Sequence, residues 1–188
     1  MKLFVRILFL ISIAEVIASN LFPLYATYVQ HIGGNLFDVG STLALQALIV
    51  GVVTFISARI AARYHTERLH LVIGYMISTI VFLAYPHITH ASQLFYTQFA
   101  EGIAFGLIIP AFSGLYSSLM EKGRHTASWG DYFGAANIAA AAALFFSGII
   151  AQHFGYTTLF YTVAAFQALT VIGALFLFRL KPLNTPQA

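Results

Sequence analysis

Between Ala58 and Leu71 the sequence reads ARIAARYHTERLHL, which sets three arginines, Arg59, Arg63 and Arg68, between two long apolar stretches. A tight loop this charged, joining segments this apolar, belongs at a membrane surface. The stretch before it, Val39 to Ala58, holds no ionisable residue and has about the twenty residues a helix needs to cross a hydrocarbon core. The stretch after it, Leu71 to Thr89, is slightly shorter and equally apolar. These residues therefore dictate two membrane-crossing helices tied together on one side by a basic segment.

The rest of the chain repeats this logic. Hydrophobic residues make up 60%, charged residues only 8%, and the mean hydropathy is +0.84, which leaves too little polar surface for a water-soluble globule. Zero cysteines rule out disulfides and thiolate chemistry. Six apolar spans follow one another: Phe4 to Tyr28, Val39 to Ala58, Leu71 to Thr89, Leu94 to Leu119, Tyr132 to His153 and Thr157 to Phe178. Their apolar runs are continuous and lack the alternation of a barrel strand, so the expected fold is an all-α membrane bundle.

Lysine and arginine set the orientation. Lys2 and Arg6 stand at the start of the first span, Arg59, Arg63 and Arg68 follow the second, Lys122 and Arg124 follow the fourth, and Arg179 and Lys181 follow the sixth. The intervening loops carry none, so the positive-inside rule predicts both termini in the cytoplasm of a cell-membrane protein. Lys2, Arg6 and the small residues Ala18 and Ser19 also have the make-up of a cleaved signal peptide. Against that, the apolar run continues to Tyr28, and removing it would break the charge parity of the remaining five spans.

At the basic stretch the sequence resembles a known family. Ala58, Ile60, Ala61, Arg63 and His65 stand where the major facilitator superfamily has Gly-x-Leu-Ala-Asp-Arg-x-Gly-Arg-Arg between its second and third helices, with Ala62 at the Asp and His65 at the second Gly. Gly102, Gly106, Pro110 and Gly114, spaced four apart, resemble that family's fourth helix and make a smooth stripe for helix packing. Gln98 stands where the family usually has Arg, and Asn137 with the run Ala139 to Ala143 stands where antiporter members have Gly-x-x-x-Gly-Pro. Glu121, Arg124 and Gly130 resemble the loop after the fourth helix, and Gly148 to Tyr161 resembles the start of the sixth. The second three spans also echo the first: Glu15 to Pro23 with Glu101 to Pro110, and Asp38 and Gly40 with Asp131 and Gly134. This predicts a 3+3 inverted repeat.

The resemblance implies that residues 1–181 form one six-helix bundle, half of the usual two-bundle transporter, and that 182–188 begin a cytoplasmic inter-domain loop. It implies transport of a small solute by alternating access, with or without proton coupling, and a second six-helix bundle as partner, either a missing half or another copy. No enzymatic activity, cofactor or metal is expected. His87 and His90 are three apart but have no acidic neighbour.

Glu15 and Glu101 fall inside apolar spans, where a carboxylate costs roughly 2.5–3.5 kcal/mol, so each is expected to face a bundle interior or wet cavity. Ser12, Glu15 and Ser19 share one helical face, as do Gln98 and Glu101. The resemblance places the first, second, fourth and fifth helices around a pathway, each contributing one polar position: Glu15, Gln46, Glu101 and Asn137. On this reading Glu15, Glu101 or both bind a proton or a cationic group, with Gln46, Gln98 and Asn137 as hydrogen-bonding selectors. The plainer alternative is that the carboxyls only tie helices together. Trp129 is expected as an interface anchor, Asp38 and Asp131 as helix caps, and Pro23 and Pro110 as kinks. Two other classes fit six spans: a rhomboid-like intramembrane serine protease with Ser113 before Gly114 as nucleophile, and a non-transporting partner subunit. The first needs a base near Ser113, and His153 falls toward the opposite membrane face.

Overall fold

A computed structural model describes residues 2–22, 24–121 and 123–180; the side chains of Lys2, Lys122 and Lys181, and the tail 182–188, lie outside it. All regular structure within the described residues is helical. The first apolar span is two helices rather than one, α1 (Lys2–Asn20) and α2 (Tyr25–His31). The Leu21 amide closes α1 by donating to Ile17 and Ala18, and the Tyr28 amide opens α2 by donating to Leu24. Asn20 also folds its side-chain amide back onto the Val16 carbonyl, 2.8 Å away. The kink assigned to Pro23 lies outside the described residues.

Helix α3 (Leu36–Tyr64) opens with a capping box in which Asn35 accepts from the Phe37 and Asp38 amides and the Asp38 carboxylate accepts from the Asn35 amide. Asp38 thus caps its helix as the third residue in, not the first. Here the sequence expectation needs correction: most of the basic stretch is helix, not loop. Alanine and arginine are strong helix formers, so α3 runs past its last apolar turn to Tyr64 and carries Arg59 and Arg63 with it. Only His65 and Thr66 remain between it and α4 (Glu67–Ala84). His65 adopts φ 52°, ψ 45°, the left-handed helix cap that glycine usually supplies, at the position of the second Gly in the family pattern.

After two short 3-10 turns, Tyr85–His87 and Ala91–Gln93, helix α5 (Leu94–Ser118) continues through Pro110 as one element. Helix α6 (His125–Arg179) covers both remaining spans. At Gly155 the backbone leaves helical space (φ 79°, ψ 170°), a region open essentially to glycine alone, and splits α6 into limbs 125–154 and 156–179. Because α6 begins at His125, Asp131 sits in its second turn and caps nothing, contrary to expectation. Among the described residues five helices are long and apolar enough to cross a membrane, and the break divides the last of them into two limbs.

Two apolar clusters stack along the bundle. At one end Tyr28, Tyr85 and Phe160 pack ring to ring around Phe22, with Ala18, Val81 and Leu159 in the same cluster. At the other, Phe4, Leu8, Tyr75, Phe112, Tyr116 and Leu177 form the second cluster. The second limb of α6 runs antiparallel to the first span, since Tyr156 Oη donates to Thr27 Oγ1 at 2.9 Å while a Cβ on Gly173 would strike Ile11. Arg68 gathers three segments: Nη1 donates to the carbonyls of Leu177 (3.2 Å) and Leu180 (2.7 Å), and the guanidinium lies 4.7 Å from the Phe4 ring centre. The start of α1, the α3–α4 joint and the end of α6 therefore share one end of the bundle.

Small residues set the helix spacing. A Cβ on Gly102 would lie 2.7 Å from Ile49 Cβ, and one on Gly106 2.6 Å from Val53 Cβ, so these two glycines let α3 settle against α5. Gly114, in the same stripe, has nothing within 4 Å among the described residues, so the stripe runs on past the α3–α5 contact. Gly74, not singled out from the sequence, does equivalent work between α4 and α5, where a Cβ would come 2.9 Å from the Ala104 carbonyl.

Candidate functional site

Two adjoining cavities open within the bundle. The larger, about 330 Å³, is walled by Ser12, Glu15 and Ser19 from α1, Tyr75 from α4, Phe105, Ile108, Ile109, Phe112 and Ser113 from α5, and Trp129, Tyr132 and Phe133 from the first limb of α6. The smaller, about 170 Å³, includes Tyr25, Gln46, Tyr85, Gln98 and Glu101. Ser19 and Phe105 belong to both walls, so the carboxyls of Glu15 and Glu101 stand in neighbouring chambers.

The two carboxyls are held differently. Glu101 is buried, and the Ser78 hydroxyl from α4 reaches both its oxygens at 3.0 and 3.2 Å. Beside it Gln98 donates from Nε2 to Tyr85 Oη at 3.3 Å, while its Oε1 has no partner. Glu15 is only 8% exposed, yet neither oxygen accepts a hydrogen bond. Ser12 and Ser19, on the same helical face, turn their hydroxyls to the backbone carbonyls of Phe9 and Val16 instead. Gln167, wholly buried on the second limb of α6, faces Glu15 but leaves its Nε2 without hydrogen-bonding geometry. Tyr75 Oη, also buried on the cavity wall, is likewise unpartnered. Buried polar groups are ordinarily satisfied, so the Glu15 carboxyl and the Tyr75 hydroxyl, both unpartnered on one cavity wall, mark a place where something polar is meant to bind.

Residues 7–188 match the family model of the Major Facilitator Superfamily. The chain belongs to that superfamily. Its members are transporters rather than enzymes. Ser113, the nucleophile of the protease alternative, stands in the wall of the larger cavity. A search of curated proteins returns no match.

Within this facilitator bundle the structure gathers four of the five predicted polar residues, Glu15, Gln46, Gln98 and Glu101, at the two chambers. Asn137 is not among them. It lies one turn beyond Phe133, exposed, with its amide donating to its own helix at the Phe133 carbonyl. Arg59 and Arg63 pair with no acid among the described residues: Arg59 donates to the Phe55 carbonyl at 2.6 Å, and Arg63 leans over the Tyr64 ring. Glu121 and Arg124 form an exposed ion pair at 3.4 Å. Trp129, expected at the membrane interface, packs on Tyr116 and Phe133 in the cavity wall. Sequence reading missed Tyr75, Ser78, Tyr85 and Gln167. The only available signal was a polar atom inside an apolar span, and spans carry many such atoms that bond harmlessly to their own backbone, as Thr79 and Thr162 do here.

Proposed function

We propose that this facilitator bundle forms one wall of a pathway for a small solute, works by alternating access, and uses Glu15 and Glu101 to carry a proton or a cationic group. Two buried carboxyls in adjoining chambers carry the reading, because acids at this depth are costly and mark pathways. The division of labour follows from their partners. Glu101, tied to Ser78, also braces α5 against α4; Glu15, with no partner, is the group free to bind.

The opposite wall comes from a second six-helix bundle, a missing half or another copy. Helix α3 packs mainly against α5 and leaves Leu48, Phe55 and Ile56 bare, and the first limb of α6 leaves Ile138 and Phe145 bare. Asn137, a polar residue on that bare limb, is placed better against a polar pathway than against lipid. The end of the bundle gathered by Arg68 faces the cytoplasm of a cell membrane. The two bundles are the units that rock against each other, and the 3+3 repeat read in the sequence lies within each.

The test is proton movement in proteoliposomes under an imposed pH gradient, read by an entrapped pH dye while small amines, sugars and carboxylates are added in turn. Solute-dependent proton flux is expected, and Glu15→Gln combined with Glu101→Gln abolishes it. Equal flux in the double variant sinks the carboxyl assignment.

A further inference from the structure

The Glu15 chamber has a chemistry more specific than "polar". Its two carboxyl oxygens and the Tyr75 hydroxyl are buried without a hydrogen-bond partner, the Gln167 amide behind Glu15 standing out of hydrogen-bonding geometry. Around them stand five aromatic rings, Phe105, Phe112, Trp129, Tyr132 and Phe133, and no lysine, arginine or histidine lines the wall. A carboxylate without a cationic side chain asks its ligand for the positive charge. Aromatic faces favour that charge further and cover an apolar body. Orphaned acceptors ask for N–H or O–H donors, which a primary ammonium supplies three at a time and a quaternary ammonium lacks altogether. About 330 Å³ is near the lower bound of small-molecule pockets, so the guest is compact.

We propose that the chamber binds a small protonated primary or secondary amine with an aromatic or alkyl body, its N–H groups on Glu15 and Tyr75 and its apolar part against the rings of α5 and α6. This rests on the pathway reading of Glu15 given above and narrows its cargo to one class. Tyr75 then becomes a specificity-determining residue, because its hydroxyl distinguishes an N–H donor from a methylated nitrogen. Gln167, behind Glu15, positions the carboxyl once the guest holds it.

Trp129 is the only tryptophan in the sequence and lies in the chamber wall, so its fluorescence reports occupancy directly. The purified full chain in lipid nanodiscs is titrated with 2-phenylethylamine, its N,N,N-trimethyl analogue and 2-phenylethanol. A saturable change with the amine is expected, with both analogues weaker by about tenfold or more, the loss of a charge-assisted hydrogen bond or of the charge itself. Glu15→Gln brings the amine down to the level of the alcohol. Tyr75→Phe, which keeps the ring, weakens the amine and leaves the trimethyl analogue unchanged. Trimethyl analogue binding as tightly as the amine overturns the proposal without reliance on any variant. So does a Glu15→Gln protein that binds the amine like the native chain, or the absence of saturable binding by all three probes. Carboxyl-dependent proton flux in proteoliposomes without amine binding removes the amine and keeps the pathway; amine binding without flux does the reverse.

Discussion

Glu15 and Glu101 have the same side chain and similar burial, and differ in what they touch. A buried carboxyl with a hydroxyl donor has part of its desolvation repaid, whereas one with no donor has none repaid. Opposite responses to mild substitution follow. Glu15→Gln is expected to leave the melting temperature in detergent unchanged or raised, because it removes an unpaired acid from a buried site. Ser78→Ala is expected to cost about 1–3 kcal/mol, because Glu101 then stays buried without its donor. Thermal unfolding of the two variants side by side checks both. A residue that is costly to stability and persists in the chamber wall is retained for something other than folding.

Among the elements, α5 lies between α3 and α4, and its glycines set both distances. Gly106→Ala puts a Cβ into Val53 and is expected to cost about 1–3 kcal/mol from overpacking. Gly114→Ala meets open space and is expected to be neutral, or to stabilise by up to about 1 kcal/mol through helix propensity alone. The same thermal assay separates them; equal losses would mean that packing is not what these glycines provide. Helix α6 shows the complementary use of glycine. Gly155 has open space around it but a positive φ, so there the constraint is backbone conformation and not room.

For the whole molecule, the decisive geometry is that the start of α1, the α3–α4 joint and the end of α6 meet through Arg68, while the Tyr85–His87 turn lies with Tyr28 and Phe160 at the other end. The chain has no cysteine, so single reporters can be introduced without background. Ser118→Cys is expected to react with a membrane-impermeant maleimide only after the cytoplasmic side is opened. His87→Cys is expected to react in intact cells, both positions being exposed at the ends of their segments. Reactivity of both from one side would overturn the six-crossing path, and an exchange of sides would overturn its orientation.

Class, the succession of apolar helices and charge asymmetry were legible in the sequence because each depends on a local quantity: the length of an apolar run, or the sign of the residues flanking it. Family membership was legible for the same reason, in the spacing of Ala58 to His65 and of Gly102, Gly106 and Pro110. The reach of α3 to Tyr64 and the split of the first span after Asn20 were not, because cap geometry is finer than hydropathy; the break at Gly155 falls in the gap the sequence leaves between His153 and Thr157. Tertiary structure alone decided that Glu101 is answered by Ser78 while Glu15 faces Gln167 without hydrogen-bonding geometry. It also decided that Gln46 reaches a chamber while Asn137 stays outside, and that Trp129 lines a cavity. Each of these depends on the rotation and register of one helix against another, which are set by packing across the bundle and leave no mark on the residues of a single span.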